Sequence, residues 1–286
     1  MVKFFKLLLY ILLGLVILAY GLEWLYTHSY KHPVNPRNKV SWLNKLEQKK
    51  YDYALFGSSR CLNTVNPKQI DKATGLSGIN MAYNGSNSFE IKLMVKQFVD
   101  KFKPKEIFVQ VDDRFDRERN DPTSSIFWIP FIDNEYIYSE FMKRDSLAWY
   151  YRNIPFYKYL LYESKIGLRD VSLSYIKNNS FENLNGFVPT NGSLEGFDHK
   201  IKQLPDRQNI HLSEIIDICE KENIKLYFFT APYFEFDLNT EVIKKHLPNY
   251  KDFSTVIDEK QMFHDQGHLN AKGAKEFTKI FIEEYF

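Results

Sequence analysis

Cysteine is scarce in this chain. Cys61 and Cys219 are the only two, so a disulfide scaffold is excluded, and a bridge cannot be inferred from two residues so far apart. The expected state is two buried free thiols. Long runs of one charge are also missing, and the formal net charge is only +2. Nothing therefore points to nucleic acid. There is no internal repeat, and the one biased tract is an Asn- and Gly-rich stretch from Asn178 to Gly196. Aromatic residues, by contrast, are plentiful, with 24 Phe and 19 Tyr. Such a supply serves aromatic-lined grooves or an interfacial surface as readily as a core. At 286 residues the chain can hold one large domain with an anchor.

One stretch lacks charge altogether. Leu7 to Leu22 carries no ionisable residue apart from tyrosines, and Phe4 and Phe5 extend it across Lys6. A bilayer crossing takes roughly 20 apolar residues. Lys3 and Lys6 precede the run, and Glu23, Trp24 and Tyr26 follow it. The positive-inside rule then predicts a cytoplasmic N-terminus, with the rest of the chain on the other side of the membrane. Ala19-Tyr20-Gly21 would serve as a signal-peptidase site, but the run exceeds the usual signal-peptide core. An uncleaved signal anchor over residues 1–25 is the expectation. No cysteine near its end suggests lipid modification.

Downstream, residues 26–50 read as a linker from about Tyr26 to Arg37, with Pro33 and Pro36, and a short amphipathic helix over Val40 to Lys49. Tyr53 to Phe56 reads as a buried strand. Asn66 is a plausible N-cap with Pro67 at the first helical position. Gly78 to Ala82 is a second short strand. Ser88 can cap a helix from Phe89 to Phe102, whose Ile91, Met94, Val95, Phe98 and Phe102 fall at helical spacing. Glu106 to Val111 is another buried strand. The pattern resumes with a helix over Leu212 to Glu222, a strand over Lys225 to Thr230 and a closing helix over Ala271 to Tyr285. Strand-helix-strand alternation predicts an α/β fold, a three-layer parallel sheet flanked by helices. A large aromatic-rich insertion, residues 114–207, is expected as helical hairpins plus a loop.

Two phrases carry chemistry. Gly57-Ser58-Ser59-Arg60 follows the first strand on a glycine-permitted turn, which suits an exposed hydroxyl. Asp265-Gln266-Gly267-His268 lies just before the last helix and offers both a base and a group to orient it. A serine is a weak nucleophile at its free pKa and needs that base. A cysteine nucleophile at Cys61 is disfavoured because a serine holds the better place on the turn. His264 and His268 also spell a zinc-type His-x-x-x-His. That motif requires a helix, which Gly267 and the onset of a new helix at Asn270 oppose. Asp112, Asp113, Asp116 and Asp121 read as a solvated acidic loop paired with Arg114, Arg117 and Arg119. His199 and His211 carry no case. No metal or other cofactor is expected.

In their order and placement, the two phrases resemble the SGNH or GDSL hydrolase superfamily. The resemblance covers the α/β parts and not the insertion. It implies a flavodoxin-like sheet with Ser59 as nucleophile, His268 as general base and Asp265 as the orienting carboxylate. Ser58 is the near alternative nucleophile. The family's second block is similar to Asn80-Met81-Ala82-Tyr83-Asn84-Gly85, which implies Gly85 N–H as an oxyanion donor beside Ser59 N–H. The third block usually supplies a donor asparagine, and here the strand ends Val111-Asp112-Asp113-Arg114. A carboxylate accepts hydrogen bonds and cannot donate one when ionised, so either Arg114 or another side chain replaces that donor beside Asp113, or the site holds a different group. The phrases are also similar to those of exported acyl-transfer members of the superfamily, such as the teichoic-acid D-alanyl transfer protein and polysaccharide acetyltransferases.

The resulting expectation is a single-pass membrane protein whose extracytoplasmic domain is a serine esterase or O-acyltransferase. It would act on acyl groups of a cell-envelope polysaccharide or related polymer. A transferase outside the cytoplasm would need a multi-span partner to deliver the acyl donor. The alternative is a catalytically inactive, glycan-binding component of an envelope polysaccharide assembly.

Overall fold

A computed structural model describes residues 1–47, 49–179 and 181–286. The helices along the chain are α1 (Val2–Lys31), α2 (Lys39–Lys45), α3 (Ser59–Leu62), α4 (Pro67–Thr74), α5 (Ser88–Phe102), α6 (Glu135–Met142), α7 (Ala148–Asn153), α8 (Tyr157–Leu161), α9 (Glu163–Ile166), α10 (Leu168–Ile176), α11 (Ile210–Lys221), α12 (Glu241–His246) and α13 (Ala271–Tyr285). The strands are β1 (Tyr53–Phe56), β2 (Gly78–Asn80), β3 (Glu106–Gln110), β4 (Lys200–Lys202), β5 (Lys225–Thr230), β6 (Phe236–Leu238), β7 (Tyr250–Asp252), β8 (Phe263–Asp265) and β9 (His268–Leu269). The chain divides into two compact units, one of residues 1–46 with 125–179 and one of residues 47–124 with 180–286.

The second unit is built on a parallel five-stranded sheet of order β2-β1-β3-β5-β7. The inner strands β1, β3 and β5, with β2, are short and largely buried, as parallel sheets require, whereas the edge strand β7 (Tyr-Lys-Asp) is mostly exposed. Alternate residues serve opposite faces. Phe56 packs its ring 5.5 Å from Phe98 of α5. Phe108 and Phe229 meet Phe281 of α13 at 5.3 and 5.1 Å. Helices thus cover both sides, giving the expected three layers. The strand order reverses between β2 and β3 across β1, so the carboxyl ends of β1 and β3 flank a topological switch point, where open α/β sheets place their ligands.

Local signals decide the helix starts. Asn66 accepts Lys68 N–H with Pro67 behind it, and Asn209 and Asn270 cap α11 and α13 in the same way. The cap of α5 is Asn87 and not Ser88. Glu90 returns its carboxylate to Asn87 N–H at 2.9 Å, while the Ser88 hydroxyl donates to Arg117 O. The short helix expected over Val40 to Lys49 ends earlier, at Lys45. Cys61 and Cys219 are both buried free thiols.

In the first unit α1 is long and apolar enough to cross a membrane, and none of its apolar window is buried. It runs past Leu22 to Lys31, taking in the first residues of the expected linker. Its last two turns are held by side chains from 125–179. Tyr26 meets Phe156 edge-on at 5.0 Å, Thr27 Oγ1 lies 2.8 Å from Tyr159 Oη, and Tyr30 donates to Asp170 at 2.8 Å. Pro33 and Pro36 follow the end of the helix. The inserted segment is helical as expected, with α6 to α10 linked by short turns.

Candidate active site

Strand β1 delivers the chain to Gly57, whose φ of +152° suits glycine alone. A Cβ there would lie 2.8 Å from Cys61 Cβ and from the Gln110 side chain. The two serines that follow have different fates. Ser58 is buried and caps α3. Its N–H and hydroxyl both reach Gln110 Oε1, at 3.1 and 2.9 Å, and its Oγ lies 3.2 Å from Asp112 Oδ2. Ser59 opens the helix, is partly exposed, and places Oγ 2.8 Å from His268 Nε2. Of the two serines, only Ser59 meets an imidazole.

His268 comes from a tight hairpin in which β8 and β9 pair antiparallel and Asp265 stands opposite His268. The Asp265 oxygens lie 2.9 and 3.0 Å from His268 Nδ1, and Gly267 N–H donates to Oδ1 at 2.8 Å. An ionised carboxylate only accepts, so Nδ1 carries the proton and Nε2 is left to accept from Ser59. Burial pushes the Asp265 carboxyl up, but the His268 hydrogen bond, the Coulombic pull of that ring when it is protonated and Gly267 N–H outweigh it and hold the group at about 2. The hairpin also disposes of the zinc reading. His264 and His268 sit on strands and not on a helix face, and His264 Nδ1 donates to Asn191 O at 2.6 Å. Among the described residues no group of metal-ligating side chains forms a site.

Arg60 links the two halves. It is only 4 % exposed, and its guanidinium carbon lies 3.2 Å from the Tyr233 ring centroid. Nε donates to Gly267 O at 2.9 Å, and Nη2 to Ala231 O and Pro232 O at 2.6 and 2.9 Å. The residue after the serine thus grips the residue before the histidine and the end of β5. Planar, multiply donating guanidinium suits this role where an ammonium would not. Gln110 is the matching support on β3, donating to Asp112 Oδ2 at 3.1 Å while it holds Ser58.

An open cleft of about 220 Å³ lies over Ser59 and His268. Its walls include Asp112, Asp113, Arg114, Arg117, Lys200 and Tyr233. Asp113 Oδ1 accepts from Tyr233 Oη at 2.9 Å, and Asp112 Oδ1 accepts Arg114 N–H at 2.8 Å. Both carboxylates are therefore held by donors, while the charge of Arg114 acts on Asp121, and Arg117 and Lys200 also line the cleft. Gly85, with φ +78°, sits in a turn tied to the Gly57 carbonyl through Tyr83 N–H and Ser86 Oγ. A Cβ on Gly85 would face Thr123 and Asp121, and Gly85 is not among the residues lining the cleft.

Ser59, Asp265, His268, Asp113 and Arg114 are therefore brought to one place, and Gly85 lies beside it. Sequence reasoning passed over Arg60, Gln110, Tyr233 and Lys200. A signal existed for Arg60, the only charged residue between Tyr53 and Val65. The others come from separate strands and turns, and nothing in their local sequence marks them. No family model matches the chain, and no curated protein is significantly similar to it.

Proposed function

We propose that this chain is a membrane-anchored serine esterase or O-acyltransferase of SGNH type, acting outside the cytoplasm on acyl groups of an envelope polysaccharide or related polymer. One observation carries the reading, the Ser59–His268–Asp265 relay at the floor of an open cleft.

In the first half-reaction His268 Nε2 takes the Ser59 proton as Oγ attacks the acyl carbonyl carbon. The C=O π electrons move to oxygen, making an oxyanion. Collapse of that intermediate expels the alcohol, which receives the proton back from Nε2. Asp265 fixes the tautomer and offsets the imidazolium charge. In the second half-reaction His268 deprotonates water or a sugar hydroxyl, which attacks the acyl-enzyme and regenerates Ser59. The Ser59 N–H makes no internal hydrogen bond among the described residues and serves the oxyanion, while Gly85, outside the cleft lining, is not assigned as a donor. The Arg114 guanidinium supplies the positive charge that a donor asparagine lacks and offsets Asp113. Arg114, Arg117 and Lys200 give the rim an excess of positive charge and favour an anionic polymer.

Asp113 is also what favours the second reading, an inactive glycan-binding component, because an ionised side chain there repels a developing oxyanion. A fluorophosphonate probe separates the two. Labelling of the wild type but not of Ser59→Ala is expected for the enzyme. Absence of labelling together with retained glycan binding would instead establish the binding module. Comparing envelope polymer acylation between wild type and Ser59→Ala cells then identifies the substrate.

A further inference from the structure

The first unit exposes large apolar side chains beyond the apolar run of α1. Around the short helices α7 and α8, Trp149 and Tyr150 are each 46 % exposed, Ile154 41 %, Leu160 66 % and Leu161 45 %. Exposed apolar patches of this kind mark interaction surfaces. Their height along α1 is fixed by two contacts. Phe156 N–H donates to Glu23 Oε2 at 3.0 Å, and Lys158 Nζ pairs with Glu23 Oε1 at 2.6 Å. Glu23 is the first charge after the uncharged run, so residues 154–161 sit level with the point where α1 leaves the apolar phase.

The surrounding chemistry is that of a membrane interface. Trp24 lies one residue beyond Glu23 and is 67 % exposed. The Trp149 and Tyr150 rings meet edge-to-face at 5.3 Å, and Tyr150 meets Tyr157 at 5.9 Å. Amphipathic rings of this type collect at the headgroup level. Ala148–Ile176 holds four Lys and Arg against two Asp and Glu, a balance that suits anionic headgroups. Beside it, Glu23, Trp24, His28, Lys31, His32, Arg152 and Lys158 are among the residues lining a cavity of about 410 Å³.

We propose that α7, α8 and the turn between them form a collar lying in the bilayer interface around the exit of α1, with Ile154, Leu160 and Leu161 inserted among lipid acyl chains. Lipid is the occupant because Glu23 ties the patch to the level at which the exposed apolar run of α1 ends. The inference rests on the reading of α1 as a membrane span.

The test uses spin labels on the full chain reconstituted in vesicles of phosphatidylglycerol and phosphatidylethanolamine. Single cysteines replace Ile154, Leu160 or Leu161, with Leu12→Cys as the bilayer reference and Lys244→Cys as the aqueous reference; the native thiols are buried. Collision with oxygen is compared with collision with a water-soluble nickel chelate. The expected result is an oxygen preference at the three collar sites several-fold above Lys244→Cys and approaching Leu12→Cys. Collar values equal to Lys244→Cys, with Leu12→Cys in the bilayer, overturn the collar alone. Collar sites shielded from both reagents also overturn it, since protein then covers the patch. A water-like Leu12→Cys overturns the membrane span and the collar with it.

Discussion

At the scale of single residues, the candidate site depends on donors that permit only one arrangement of protons. Asp265 has no proton to give, so its partner nitrogen must carry one. Asp265→Asn keeps the shape but presents an amide that can donate, which stabilises the wrong imidazole tautomer. The expected outcome is a fall in kcat of about 10³- to 10⁴-fold with KM little changed. Esterase assays on a small activated ester measure it, and an unchanged kcat would remove Asp265 from the relay. Arg60 acts at one remove, as a positioning residue. Arg60→Lys replaces two separated donor nitrogens and a planar group stacked on Tyr233 by a single ammonium, and the loss is expected to cost about 2–3 kcal/mol of stability. It should also slow fluorophosphonate labelling of Ser59, a readout that stability alone would not move in the folded fraction. Labelling at the wild-type rate in folded Arg60→Lys would leave Arg60 a purely structural clamp.

A titratable group also marks the start of α5, where element and residue meet. Glu90 is fully buried, and burial raises its carboxyl from 4.5 to about 8, against the pull of Asn87 and Asp121 N–H. In the unfolded chain the same group loses its proton near its ordinary value. Between 4.5 and about 8 the folded state therefore holds more protons than the unfolded state, and stability falls as pH rises through that window. Below it this contribution is complete. Thermal melts of wild type and Glu90→Gln across pH 4 to 9 are expected to differ in slope within the window, with the variant flatter. Identical slopes would show that Glu90 ionises normally.

The same scale shows what the sequence makes legible. β1, β3 and β5 could be read because each is a buried apolar run between breakers, and α4 and α13 because Asn66 with Pro67 and Asn270 are local start signals. The β4, β6, β7, β8 and β9 segments went unread because two or three residues carry no period. Their strand geometry comes from partners distant in sequence. α1 outran its apolar stretch for the same reason, since Tyr26 and Tyr30 are held by residues 156–170.

For the whole molecule, the long apolar helix α1 and the α/β unit make separate claims. If α1 spans the membrane, the chain stays in the membrane fraction through an alkaline carbonate wash. If the positive-inside reading is right, protease added to cells with permeabilised outer layers but intact cytoplasmic membranes digests residues beyond α1. Release by carbonate would refute the span, and protection until lysis would refute the orientation.

The sequence by itself determined the order of the parts: an uncharged run, alternating strands and helices, a serine turn after β1 and an Asp-x-x-His before α13. Those are local properties, set by hydropathy, period and turn chemistry. Which serine meets the histidine was not local. The tertiary structure decided it, because Gln110 and Asp112 from the end of β3 and beyond consume Ser58 and leave Ser59 2.8 Å from His268. It also decided the clamp by Arg60 and the cationic rim, which bring together residues from separate strands and turns. Such groups become neighbours only when the sheet is assembled, since hydrogen bonds and charges act over a few ångströms in space and not along the chain.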